Sequence, residues 1–146
     1  MQRKNARQRS DVLLRKRLSH SVIRHIYHGV RGIEICKEHS DEAERLRQDI
    51  SDKSFTYGEI VTSSFEQLLR DAMRSLNRPA EDLVFYDLGS GTGKAVFTAA
   101  LCFPENVITK SIGLEILPSL HEAACSCYNH FRRSLLRANE LNRAAA

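Results

Sequence analysis

Nowhere in its 146 residues does the sequence approach the roughly 18 consecutive apolar residues that a membrane-spanning helix needs, so that reading is excluded. The first residues, Met1-Gln2-Arg3-Lys4-Asn5-Ala6-Arg7, lead into further charge and not into an apolar core, and no secretory signal is expected. Internal repeats and low-complexity tracts are absent, apart from the closing Ala144-Ala145-Ala146. Cysteine is sparse. Cys36, Cys102, Cys125 and Cys127 lie in apolar or helical contexts, which argues against a disulfide framework and for reduced thiols inside the cell. His121, Cys125, Cys127 and His130 are close enough in sequence to test for a metal site. On one helix, however, Cys127 is turned about 200° from Cys125, so the four cannot converge on a tetrahedral ion, and no metal is expected. What is present suits one globular domain, or a small domain with a helical extension: 42% hydrophobic and 27% charged residues are too apolar for disorder.

The net charge of +4 hides an uneven distribution. Residues 1–33 carry Arg3, Lys4, Arg7, Arg9, Arg15, Lys16, Arg17, Arg24 and Arg31 against the single acid Asp11, a local charge of +8, and the rest of the chain carries −4. A basic arm on a mildly acidic body fits an anionic partner, such as nucleic acid, a nucleosome or acidic lipid. A solvated helix face with incidental charge is the alternative. Arg15-Lys16-Arg17 also fits part of a nuclear-import signal.

Along the arm, Leu14, Leu18, Val22 and Ile26 recur four apart with Ile23, Tyr27 and Val30 beside them, which predicts an amphipathic helix over 11–31. A second helix is expected over 33–49, then a connecting loop over 51–61. Phe65, Leu68, Leu69, Ala72, Met73 and Leu76 mark a further helix, with Ser63 and Glu66 spaced as a capping box and Asn77-Arg78-Pro79 as its stop. Leu83 to Leu88 has strand character, 94–102 helix character, and Val107–Ile116 strand character. A last helix is expected from Pro118 to about residue 138. Strand, glycine-rich turn, helix, strand, helix is the opening of a doubly wound parallel sheet.

The turn between the first strand and its helix is Asp87-Leu88-Gly89-Ser90-Gly91-Thr92-Gly93-Lys94. Alternate glycines let the backbone turn tightly and approach a ligand, and the helix start offers its N–H groups there. A Walker A loop would need glycine where Leu88 stands and Ser or Thr where Ala95 stands. A dinucleotide loop would need glycine at Lys94. The remaining pattern, acid-x-Gly-x-Gly-x-Gly, resembles the first motif of class I S-adenosylmethionine-dependent methyltransferases. Glu115, at the end of the second strand, stands where that family's acid accepts hydrogen bonds from the ribose hydroxyls.

Upstream lies Thr56-Tyr57-Gly58-Glu59-Ile60, and Ser64-Phe65 opens the helix before the first strand. Together with Phe85 to Lys94 and Gly113-Leu114-Glu115, these residues resemble the non-SET histone lysine methyltransferases, the disruptor-of-telomeric-silencing family, over residues 55–131. In that family a Tyr-Gly-Glu loop folds over the cofactor. The resemblance implies S-adenosylmethionine contacts from Tyr57, Gly58, Glu59, Asp87, Leu88, Gly89, Ser90, Gly91, Thr92, Gly93, Lys94 and Glu115. Two positions depart from the family: Ile60 stands where Thr is common, and Lys94 where Gln is usual.

The family's Asn-Asn-Phe segment after a fourth strand has no counterpart, since Asn139-Glu140-Leu141-Asn142 lacks the Phe. The expected architecture is thus the start of a Rossmann-like, doubly wound parallel α/β sheet, with the sheet incomplete. A basic helical segment, 1–50, would precede a partial cofactor-binding domain, 51–146. By resemblance the chain is the cofactor-binding part of an enzyme that moves a methyl group in line to a histone lysine, with the arm on the nucleosome. A nuclear location is implied, with the cytoplasm as the alternative. The competing readings are a non-catalytic binding module that self-associates through the incomplete sheet, and a methyltransferase acting on RNA or a small molecule.

Overall fold

The computed structural model describes residues 17–41, 44–45 and 58–144, and of 138–144 the backbone alone. Helix α1 covers 17–26 of the described chain, α2 runs Gly32–Glu38, and α3 Thr62–Arg74. Strand β1, Leu83–Leu88, is followed by α4, Lys94–Cys102, then β2, Ile108–Leu114, and the long α5, Pro118–Ala144. The two strands pair in parallel, from Leu83 against Ile108 to Leu88 against Leu114, with one irregularity after Leu83. Parallel neighbours require a crossover, and α4 supplies it by packing across both strands. This open two-stranded sheet with its helices is the beginning of a Rossmann-like α/β fold.

The core is built where the helices meet the sheet. Ile23 and Ile26 of α1, and Tyr27 directly after it, are buried with Phe97, Ala99 and Cys102 of α4, and with Phe103, Ile108 and Cys127. Phe97 sits edge-on to both Tyr27 and Phe131, at centroid distances of 5.9 and 5.8 Å. The basic arm's helix is therefore part of the wall of this core. Its buried face is Ser19, Ile23, Ile26 and Tyr27, while Leu18 and Val22 of the expected four-apart row are exposed. A smaller cluster joins Ile35 and Cys36 of α2 to Leu117 and Leu120 at the start of α5.

Burial alternates along β1. Leu83, Phe85 and Asp87 face the helices, whereas Val84, Tyr86 and Leu88 are exposed. Register places Lys110, Ile112 and Leu114 on that same outer face. Parallel sheets ordinarily have both faces covered by helices; among the described residues only one face is.

One local expectation is corrected. Ser63 and Glu66 form no capping box, because α3 begins at Thr62 with Val61 as an extended N-cap lacking any side-chain bond. Ser63 thus already lies inside the first turn, and Glu66 points inward. It is fully buried, accepts from Arg70 Nε at 2.8 Å, and lies 2.7 Å from His20 Nε2. Arg70 also donates to the Cys102 carbonyl at 3.1 Å and covers the Phe103 ring. This joins α3 to α1 and α4 through one buried charge. Removing the carboxylate strands its cationic partner, so Glu66→Ala should lower unfolding free energy by about 3 kcal/mol in urea denaturation, far more than a surface ion pair is worth. A change within error would show that the Glu66 charge holds nothing.

Candidate functional site

The glycine loop is held from several sides. Gly89 and Ser90 both donate their amides to the Leu114 carbonyl at the end of β2, at 2.8 and 2.9 Å. Gly93 donates to Ser90 at 2.8 Å and caps α4. Gly89, Gly91 and Gly93 have φ of 81°, 55° and 81°, the left-handed region that side chains resist, which explains glycine at alternate positions. Beneath the loop runs Gly113. A Cβ there would lie 2.7 Å from Ser90 Oγ and 2.8 Å from Val96 Cγ2, so only glycine lets the strand pass so close. A glycine inside the strand, between Ile112 and Leu114, was the one signal of that approach.

Two carboxylates flank the loop at the ends of adjacent strands. Glu115 Oε2 accepts the Gly91 amide at 2.6 Å, and its Oε1 accepts the amides of Ile116 and Leu117 at 2.8 and 2.9 Å. It therefore bridges the glycine loop to the segment that leads into α5. The Asp87 carboxylate has no hydrogen bond or ion pair among the described residues. Burial, and then the charge of Glu115, hold its carboxyl above the usual carboxylate range. A half-buried acid beside a second acid is an unfavourable arrangement that a cationic group would relieve.

Glu59 approaches from the opposite side. Its Oε1 accepts the Gly32 amide at 2.8 Å, and its Oε2 lies 3.3 Å from Lys94 Nζ. Lys94 also lies over the Tyr27 ring, 5.4 Å from its centroid. Gly58, Glu59, Asp87, Gly89, Ser90, Gly91, Thr92 and Lys94 line one small cavity of about 120 Å³. Gly93 lies behind it, while Leu88 points to the exposed outer face of the sheet. Tyr57 lies outside the described residues.

A larger cleft of about 410 Å³ opens between α4, β2 and α5, lined by apolar groups such as Val96, Phe97 and Tyr128. None of the three acids lines it; Asp87 and Glu59 line the smaller cavity, and Glu115 touches that cavity's wall through the Gly91 amide. His20, Glu66 and Cys102 come within 4.8 Å of one another, but the Glu66 charge is already met by Arg70. Of the four residues in the His121–His130 stretch, His121 and Cys125 approach to 3.5 Å, whereas Cys127 is buried in the core and His130 packs against His25. Sequence reasoning missed Tyr27, whose hydroxyl donates to the Thr92 carbonyl at 2.7 Å.

A family model described as Histone methylation protein DOT1 matches residues 32–137. No curated protein matches the chain, and no solved structure does.

Because the folded chain raises the Asp87 pKa, ionising this group opposes folding. The protonated form's advantage is fully present below the unfolded pKa and is lost as pH rises through the raised folded value. Asp87→Asn should match the parent's stability near about pH 3 and exceed it near about pH 8, by urea midpoints at both. Equal midpoints at the higher pH would remove the electrostatic conflict from the site.

Proposed function

The chain belongs to the histone methylation protein DOT1 family, and from that membership we propose an S-adenosylmethionine-dependent methyltransferase of histone lysine, with its cofactor site at the glycine loop. The observation that supports this reading most is the pair of carboxylates, Asp87 and Glu115, at the ends of two parallel strands on either side of that loop. Ligands of open α/β sheets bind beyond the carboxyl ends of the strands. The residues present fit this cofactor chemically. Asp87 is an acid without a protein partner among the described residues, suited to an ammonium group, and Glu115 can accept from a pair of hydroxyls. When bound, S-adenosylmethionine supplies an activated methyl group.

The work of this chain's own residues is then positional. The glycine loop brings backbone to within contact of the ligand, and Asp87 holds its cationic end. Glu115 orients the ribose, while Gly58 and Glu59 close the cavity from the other side. A cavity of about 120 Å³ is below the roughly 300 Å³ of a full ligand pocket, which fits a site for part of the cofactor, its methionine end beside Asp87. Rate enhancement in such a transfer comes chiefly from aligning donor and acceptor and from stripping water from the neutral amine.

The exposed arginines of α1, Arg17 and Arg24, would face the acidic surface of the nucleosome, with the binding falling as salt rises, and the site of action would be the nucleus. A second reading has its own support: Val84, Tyr86, Leu88 and Leu114 form an exposed apolar sheet face, as in a binding module that associates with itself. Calorimetry with S-adenosylmethionine separates the two. The enzyme reading expects a dissociation constant of about 1 mM or tighter, lost in Glu115→Ala. A chain that takes up no cofactor at any attainable concentration, and is a stable oligomer by light scattering, fits the module instead.

A further inference from the structure

The loop that would meet the cofactor is also gripped from behind, by the basic helix. Tyr27, at the end of α1 and bonded to it through the Ile23 carbonyl, is buried, and its hydroxyl donates to the carbonyl of Thr92, a residue only 2% exposed, at 2.7 Å. The two residues lie far apart in sequence, yet this bond lands between Gly91 and Gly93, where the backbone is most permissive. The same ring carries the Lys94 ammonium over its face and packs edge-on to Phe97 one turn further along α4. A Cβ placed on Gly93 would sit 3.5 Å from the Tyr27 hydroxyl, so the ring fills the space directly behind the loop.

We propose that Tyr27 is a positioning residue: its hydroxyl holds the Gly91–Gly93 backbone in the form that accepts the cofactor, so that helix α1 sets cofactor affinity. The proposal rests on the cofactor reading above. Gly89 and Ser90 are fixed to β2 through the Leu114 carbonyl, but Gly91 is held by the Glu115 carboxylate, the group expected to turn toward the ribose. When Glu115 serves the ligand, the second half of the loop needs a restraint that the ligand does not use, and the Tyr27 hydroxyl is placed to be one. Ordering a glycine-rich segment in advance removes an entropic penalty from binding. The outward side of the helix that leads into Tyr27 carries Arg17 and Arg24, so the surface that would meet an anionic partner adjoins the residue that holds the loop.

A built-in comparison exists on the same helix. Ser19 donates to the Leu101 carbonyl of α4 at 2.6 Å, a bond from α1 to the end of α4 remote from the loop. Amide hydrogen exchange and cofactor calorimetry on the full chain, with Tyr27→Phe and Ser19→Ala, test the proposal. Both variants lose one hydroxyl and keep their packing, and both should shift the unfolding midpoint by similar amounts. Tyr27→Phe alone should speed exchange of the Gly91 and Gly93 amides roughly tenfold and weaken cofactor binding by a similar factor. Loop exchange in Tyr27→Phe no faster than in Ser19→Ala overturns the proposal, as does unchanged affinity in a chain whose parent binds. If the parent takes up no cofactor, the functional reading fails separately, and the assignment of Tyr27 to cofactor affinity falls with it. Faster loop exchange would then leave only its hold on the backbone.

Discussion

At the carboxyl end of β2 the Leu114 carbonyl accepts the amides of Gly89 and Ser90, and Gly113 places no side chain between strand and loop. This close approach brings the loop down onto the sheet, where the Glu115 carboxylate reaches Gly91. It also sets the start of α4, whose cap is Gly93, and hence the packing of Phe97 against α1 and α5. With a bulkier residue at 113, Ser90 or Val96 would have to move, and the loop with it. The cavity beside Asp87 exists because two strands can end side by side under a loop that has almost no side chains of its own.

The electrostatics of that cavity oppose its folding. The Asp87 carboxylate is partly buried, has no hydrogen bond or ion pair among the described residues, and faces the charge of Glu115. A purely structural site would balance its charges, as the buried Glu66 does with Arg70. The contrast between these two acids separates a group that holds elements together from one kept ready for something else. Lys94 follows the first pattern: its amine goes to Glu59 and the Tyr27 ring, on the far side of the loop from Glu115.

Much of the β1–α4–β2 unit is legible in the sequence, because alternate glycines after a short apolar run can serve few other purposes. Helix α4 spans the residues expected, Lys94–Cys102, and β2 is shorter than expected by a residue or two at each end. The acids flanking the loop follow from the same pattern. Less legible is everything that depends on which way a helix turns. The apolar row of α1 predicted Leu18 and Val22 as inward, yet the buried face runs through Ser19, Ile23, Ile26 and Tyr27, set by where Phe97 and Leu101 lie in space. Ser63 and Glu66 have capping-box spacing, and only the earlier helix start and the position of Arg70 show that Glu66 is a buried anchor. A charge count marks the first 33 residues as an arm. It cannot reveal that Tyr27, in the same stretch, reaches the glycine loop.

The proposed ligand site is the small acidic cavity at the strand ends and not the larger apolar cleft between α4 and α5. A titration of S-adenosylhomocysteine followed in the backbone amide spectrum of the full chain addresses this directly. The account predicts that the first resonances to move are those of Gly91, whose amide rests on Glu115, and of Gly89 and Leu117 around it. Shifts centred instead on Ala100, Cys125 and Tyr128, which line the apolar cleft, would contradict it.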